Sequence, residues 1–303
     1  YLDVNAIEHL VLGKIAKEFH SPYPMYEPIK NHALVVNNSL KFGGAERQVV
    51  RCLGNRNFSK SLVVWNLQAN NSDNSFIDEV EEMGIDIYDY SRGRNPHKKV
   101  YTEDVQKLID LIPQTPPLNP GISQKISHLI EIIMEQKPTT LHLWQDTTNI
   151  LGAIAGVLCG VPKIVMSARS LPPFALPTNT FPNKGPNYYY NNRFVRKNYQ
   201  DLLENKRVYL SHNSQNGLEK YVEWLGGFED RMLLLENGFD LSQFKSFPIP
   251  QKTNAPRRIG TVFRFVDVKQ PLLWLDVAKA VITQIDEPVV FTIVGDGPLL
   301  EES

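Results

Sequence analysis

The chain has 303 residues, enough for two domains with separate apolar cores, and its 42% hydrophobic and 21% charged residues mark an ordinary globular protein. A formal net charge of -1 gives no electrostatic case for nucleic acid, and two cysteines, Cys52 and Cys159, are too few for a disulfide scaffold or a zinc site. They read as reduced, buried thiols. The apolar run 150–161 falls short of the roughly 20 residues that cross a bilayer. No basic start followed by an apolar core opens the chain, so the expected location is cytoplasmic.

In chain order, Ile7, Leu10, Val11, Ile15 and Phe19 fall on one face of a helix, giving an expected N-terminal helical extension over residues 1–30. Regular alternation then begins. Residues 32–37 read as a strand that leads through Gly43 and Gly44 into a helix at 45–53. Strands follow at 61–66, 85–88, 140–144, 163–167, 207–211 and 232–235. Helices are expected at 76–83, 122–135, 149–159 and 214–224. Such alternation with short links predicts an α/β fold with a parallel sheet, helices on both faces, and ligands beyond the carboxyl ends of the strands. This first Rossmann-like domain is expected to span 31–247.

Within it, the proline-rich stretch 171–187 has no clear period, as in loops that serve function or are disordered. The run from Tyr188 to Tyr199 mixes aromatics with Arg193, Arg196 and Lys197. It suits an amphipathic helix with its aromatics packed inward or, less well, contact with a lipid-diphosphate acceptor or peripheral contact with an anionic lipid surface at the inner membrane face. A proline-rich linker at 248–256 precedes a restart of the pattern, with a strand at 258–262, a helix at 271–282, a strand at 289–294 and a turn at 295–297. Two strands cannot bury a doubly wound core. The segment 257–303 is therefore expected to be the start of a second Rossmann-like domain, incomplete in this chain, or to fold on something else.

Three loops carry candidate chemistry. Paired glycines in the loop 42–47 let backbone approach a ligand and leave helix-terminal N–H groups for an oxyanion, or serve only as a turn. Arg264 and Lys269 follow the first strand of the second domain. Fixed cations there would neutralise a departing diphosphate, a task that a metal-bridging Asp-x-Asp pair, absent from this sequence, performs elsewhere. The alternative is a solvated loop. Gly295-Asp296-Gly297-Pro298 forms a further strand, turn and helix start suited to a base or ribose, or to a plain structural turn.

The order of Gly43-Gly44-Ala45-Glu46-Arg47, then Glu236-Asn237-Gly238-Phe239-Asp240, then Arg264 with Lys269, then Gly295-Asp296-Gly297-Pro298 resembles family-4 glycosyltransferases over about residues 32–303. The resemblance implies a GT-B-like fold, with the nucleotide-diphosphate sugar as donor substrate, no other cofactor and no metal. Sugar transfer would go to a saccharide or lipid-linked acceptor, of the hexosyltransferase type used in polysaccharide biosynthesis, with retained stereochemistry. By the same resemblance Arg264 and Lys269 would grip the diphosphate, Gly43 and Gly44 would line the cleft floor, and Gly295 and Gly297 would shape the nucleotide pocket. Asn237 would join the donor set. The family's later Glu-x7-Glu motif is not in this sequence, so a truncated chain is expected, inactive by itself.

Polar residues at strand ends of the first domain complete the candidates. His142, Gln145, Asp146 and Asn149 border one strand and Arg169 and Ser170 the next; in such enzymes these positions face the acceptor or transferred sugar. Asp146 is a candidate general base, or a helix N-cap. Arg169 and His142 complete the expected catalytic set. Asn213 or Ser214 is expected to cap the following helix. A noncatalytic nucleotide-sugar or glycan-binding module remains the alternative function.

Overall fold

The computed structural model describes residues 12–55, 57–67, 75–89, 102–112, 120–172, 192–246 and 256–301. It divides into two compact units, the described residues up to Phe239 forming one and those from Asp240 the other.

The first unit holds seven parallel strands: β1 (Ile29–Asn37), β2 (Ser59–Val64), β3 (Asp86–Asp89), β4 (Pro138–Trp144), β5 (Lys163–Ala168), β6 (Val208–His212) and β7 (Met232–Leu234). Their order is β3-β2-β1-β4-β5-β6-β7. The chain thus builds outward from β1 in one direction and from β4 in the other, which makes the β1/β4 boundary the switch point where such sheets bind ligands. Around the sheet lie α1 (Leu12–Glu18), α2 (Gly44–Leu53), α3 (Ile77–Glu82), α4 (Glu103–Asp110), α5 (Pro120–Gln136), α6 (Asp146–Leu158), α7 (Asn192–Leu203) and α8 (Gln215–Leu225).

Strand side chains alternate between two cores, as the pleat requires. Leu34 and Val36 of β1 face one that also holds Leu141, Leu143 and the apolar faces of α5 and α6. Val35 faces the other, with Leu62, Val64 and the α2 residues Val49, Val50 and Leu53. Burial on both sides explains the continuous apolar runs Ala33-Leu34-Val35-Val36 in β1 and Ile164-Val165-Met166 in β5. Helix α6 is buried from Thr148 to Leu158. Gly152 and Gly156 bring it close to the sheet, since a Cβ there would lie 2.3 Å from Leu143 Cδ2 and 2.7 Å from Leu141 Cδ2 respectively.

Three features differ from the sequence pattern or sharpen it. Helix α4 was not expected, because its eight residues are mostly polar; Thr102 caps it by accepting from Val105 N, and Val105 and Leu108 supply its short buried face. The N-terminal segment is knitted into the first unit from Leu12 onward, Ile7, Leu10 and Val11 lying outside the described residues: Gly13 N donates to Asn198 Oδ1 (2.7 Å), and Tyr26 Oη donates to the Pro138 carbonyl (2.9 Å). Tyr199 on α7 is fully buried, which is the inward-packing alternative, while Arg196 and Lys197 are exposed. Tyr188 to Tyr190, the Arg193 side chain, residues 173–187 and most of the expected linker lie outside the described residues.

The second unit is one βαβ repeat: β8 (Arg257–Val262), α9 (Pro271–Gln284) and β9 (Val289–Val294), with the strands parallel. Phe265 and Ala278 are buried, whereas Leu272, Leu273, Val277, Ile282 and Val294 are exposed. Two strands bury little core here, as expected.

Candidate active site

At the switch point β4 turns sharply into α6. Gln145 makes the turn with φ 73, the left-handed region that a non-glycine residue enters at a cost of about 1–3 kcal/mol and that recurs at functional sites. Its backbone N–H donates to the Ser167 carbonyl (3.1 Å), and its side-chain amide donates to Glu46 Oε1 (3.0 Å) on α2.

Asp146 is not the N-cap; that place belongs to Gln145, and Asp146 is the first helical residue. Its carboxylate accepts from Tyr199 Oη (2.8 Å) and, at 3.5 Å, from Tyr221 Oη. The residue keeps solvent access yet lies deep among protein atoms, and this desolvation raises its pKa against the opposing pull of the two tyrosine hydroxyls and His212. Ser214, the expected cap of α8, does accept from the Gly217 N–H (3.2 Å).

Beside this turn a cavity of about 260 Å³ opens at the carboxyl ends of β4, β5 and β6. Helix α2 supplies Gln48, Arg51 and Cys52, the strands supply His142, Trp144, Ser167 and Ser211, and Arg169, Glu236 and Gly238 complete the rim. A polar chain runs along its wall: His142 Nε2 to Ser167 Oγ (2.8 Å), Ser167 Oγ to Ser211 Oγ (2.6 Å), and Ser211 Oγ toward the Met166 carbonyl (3.5 Å). With that carbonyl as the terminal acceptor, His142 Nε2 carries the proton. Its Nδ1 then faces the Cys52 thiol at 3.9 Å. Burial, and secondarily the Arg169 charge, push the His142 pKa down to about 4, and burial raises that of Cys52. Both stay neutral at ordinary pH.

The charge of the cavity is arginine. The Arg169 guanidinium stacks 4.0 Å from the Trp144 ring centroid and donates from Nη1 to Asn237 Oδ1 (3.1 Å). Desolvation lowers its pKa to about 10, which leaves it charged at neutral pH. Arg51 donates from Nη1 to the Gly238 carbonyl (2.8 Å) and lies 4.6 Å from the Phe239 ring centroid. Gln48 Oε1 accepts from Gly238 N (3.0 Å). The segment 236–239, singled out by its motif, is therefore pinned to α2 and Arg169. The sequence reading placed His142 and Arg169 at strand ends, and they share this one cavity. It did not single out Arg51, Trp144 or Ser167; the available signal was a polar residue closing an apolar strand, as in Ile164-Val165-Met166-Ser167.

Gly43 precedes α2 with an extended φ of -163, a backbone that any residue adopts, although a Cβ there would lie 2.2 Å from Glu46 Oε2, whereas a Cβ on Gly44 would meet nothing within 4 Å. Open space around Gly44, rather than backbone strain, is what this loop offers a ligand.

In the second unit two of the expected loops are one structure. Phe263 N donates to the Val294 carbonyl, Phe265 N to the Asp296 carbonyl (2.8 Å), and Leu299 N to the Phe265 carbonyl. A Cβ on Gly295 would lie 1.8 Å from the Phe263 carbonyl oxygen, and one on Gly297 2.4 Å from that of Phe265. These glycines thus serve close backbone packing. Arg264 and Lys269 are exposed at this same strand end, and neither has an ion-pair partner among the described residues. No cluster of three or more His, Cys, Asp or Glu residues that could hold a metal occurs among the described residues. Among them, no helix is long and apolar enough to cross a membrane.

No protein-family model matches the chain. Over 290 residues it is 27% identical to the Vi polysaccharide biosynthesis protein VipC/TviE of Salmonella typhi, a match that takes in 88% of this chain and 48% of that protein. The chain thus spans about half the length of this curated relative. Among solved structures it is similar to Anabaena HepE in complex with UDP and glucose (TM-score 0.56, 15% identity, covering 89% of this chain and 62% of that one). It is also similar to the lipopolysaccharide outer core galactosyltransferase WaaB (0.53, 12%, 89% and 62%) and to TarM (0.55, 9%, 90% and 73%). At these identities the likeness is one of fold, and that fold is the α/β, GT-B-like architecture expected from the sequence.

Proposed function

We propose that the chain is part of a glycosyltransferase that moves a hexosyl unit from a nucleotide-diphosphate sugar to a saccharide or lipid-linked acceptor in polysaccharide biosynthesis. Transfer proceeds with retention and without a metal, as in family 4. The observation that best supports this reading is the backbone-locked pair of loops in the second unit. Phe263 and Phe265, which flank Arg264, abut the Gly295–Gly297 turn at the carboxyl end of two parallel strands, where sheets of this kind bind ligands, and Lys269 follows a few residues on. Fixed cations there stabilise the negative charge that grows on the leaving diphosphate. The names borne by HepE's ligands and by the Salmonella relative agree in chemistry.

In this reading Gly43 and Gly44 line the floor beneath the donor, Gly295 and Gly297 shape the nucleotide pocket, and Asn237 acts on the donor side through Arg169. Asp146, with its raised pKa, takes the acceptor proton, while Arg169 and neutral His142 orient the acceptor. The site is cytoplasmic, and the exposed Arg196 and Lys197 of α7 supply peripheral contact at the inner membrane face. Calorimetric titration of the full chain with UDP in EDTA tests the assignment. Binding without metal is expected, weakened at least about tenfold by Arg264→Ala or Lys269→Ala, which is about 1.4 kcal/mol each. Unchanged affinity in both variants refutes it.

A further inference from the structure

The cavity of the first unit has an electrostatic imbalance that orienting a neutral acceptor does not account for. Arg51 and Arg169 both line it, and neither makes an ion pair among the described residues; their partners are a carbonyl, an amide oxygen and two aromatic faces. Glu236 is the one carboxylate in the lining, and it is exposed and bonded to neither arginine. His142, neutral at ordinary pH, leaves the two arginines as the cavity's positive charge. Two buried side-chain nitrogens of lining residues, Arg169 Nε and Trp144 Nε1, have no hydrogen-bond acceptor among the described residues. Both are donors. Burying a donor without an acceptor costs about 1–3 kcal/mol, and more when the group is charged. Two guanidinium groups without an ion-pair partner, both lining one cavity, are complementary to an anion with several acceptor oxygens, and guanidinium geometry matches carboxylate and phosphate in particular.

Size separates this site from the donor's. At about 260 Å³ the cavity lies just below the about 300–1,000 Å³ of pockets for drug-sized ligands, which suits one sugar unit rather than a whole nucleotide sugar. The hydroxyls of Ser167 and Ser211 and the amide of Gln48 border the same space and offer neutral partners to a sugar ring.

From this we infer that the cavity between α2 and the ends of β4 to β6 receives an anionic acceptor unit, whose carboxylate or phosphate is held by Arg51 and Arg169. The inference rests on the glycosyltransferase reading and names the class of its acceptor. Uronic acids and phosphorylated sugars share the required chemistry, and the experiment tells them apart.

The test titrates the full chain with a short oligomer of a hexuronic acid, with the same oligomer after carboxyl reduction, and with glucose 6-phosphate. Binding of the uronate, or of the phosphate, at least tenfold tighter than the reduced oligomer is expected, and the tighter of the two identifies the group. Arg169→Gln and Arg51→Gln should each remove that preference. Thermal melts and far-UV circular dichroism at wild-type values confirm that the variants are folded. Equal binding of the reduced oligomer, no binding of either anion, or wild-type preference in both variants overturns the inference. The UDP titration separates the two levels. Metal-free UDP binding that depends on Arg264 and Lys269, with no anion preference, sinks the acceptor assignment alone. Anion binding without UDP binding sinks the transferase reading and leaves an anion site.

Discussion

Removing one hydroxyl from the buried core tests the account of Asp146. Tyr199 is fully buried, and its Oη both donates to Asp146 Oδ1 (2.8 Å) and accepts from Asn149 Nδ2 (3.2 Å). Tyr199→Phe keeps the ring, with its edge contacts to Tyr221 and Trp224 at centroid distances of 6.1 Å. It leaves the carboxylate with only the long Tyr221 bond and strips Asn149 Nδ2 of its acceptor. A hydrogen bond to a charged group is worth about 1.5–3 kcal/mol and an orphaned buried donor costs about 1–3 kcal/mol. Solvent access at Asp146 lets water replace part of the first. The expected loss is therefore about 2–3 kcal/mol, read by urea unfolding with tryptophan fluorescence. The pH dependence follows from the sign of the Asp146 shift. Its folded pKa already lies above the ordinary 3.8, so the folded state favours the protonated acid and ionisation penalises it as pH rises. Loss of the Tyr199 donor raises that pKa further, so this part of the variant's loss relative to wild type should be absent below the wild-type folded pKa, grow as pH rises through it, and level off above the variant's own folded pKa. In an Asp146→Asn background the cost of Tyr199→Phe should shrink, because the charged partner is gone. A loss under about 0.5 kcal/mol, or one independent of both pH and Asp146, refutes the proposed coupling.

Gly295→Ala should displace the loop that carries Arg264, since its Cβ would stand 1.8 Å from the Phe263 carbonyl oxygen; UDP affinity should fall at least about tenfold, or 1.4 kcal/mol, by calorimetry. Gly44→Ala meets open space and should leave the stability of the fold within about 0.5 kcal/mol in urea unfolding. His142, with its pKa pushed down to about 4, binds its proton in the unfolded chain before it does so in the folded one. Stability should therefore fall as pH drops from 6.5 to 4, by on the order of 2 kcal/mol from this group. His32 and His212, also lowered by burial, act in the same direction. The His142 ring proton observed by NMR should titrate near pH 4, and a midpoint near 6.5 contradicts the burial argument.

The centre of the sheet was legible because its strands are buried on both faces, so apolar runs such as Leu34-Val35-Val36 and Ile164-Val165-Met166 state their role without context. Helix α6 was legible for the same reason. Helix α4 was not: only Val105 and Leu108 face inward, and a two-residue stripe resembles chance. The Asp146 cap was misread because its true partners, Tyr199 and Tyr221, lie 53 and 75 residues away and leave no local trace. The rule placing ligands at strand ends found His142 and Arg169. Arg51 escaped it because it comes from a helix that only tertiary packing carries to the same spot.

The locked loops of the second unit have one more consequence. Main-chain hydrogen bonds and the abutting backbones of Gly295 and Phe263 fix where position 264 stands, while the arginine itself is exposed and packs against little. Location and chemical identity are thereby uncoupled at that point. A different side chain can be mounted on the same scaffold without rebuilding its support, which makes position 264 a natural place for altering what the strand end grips.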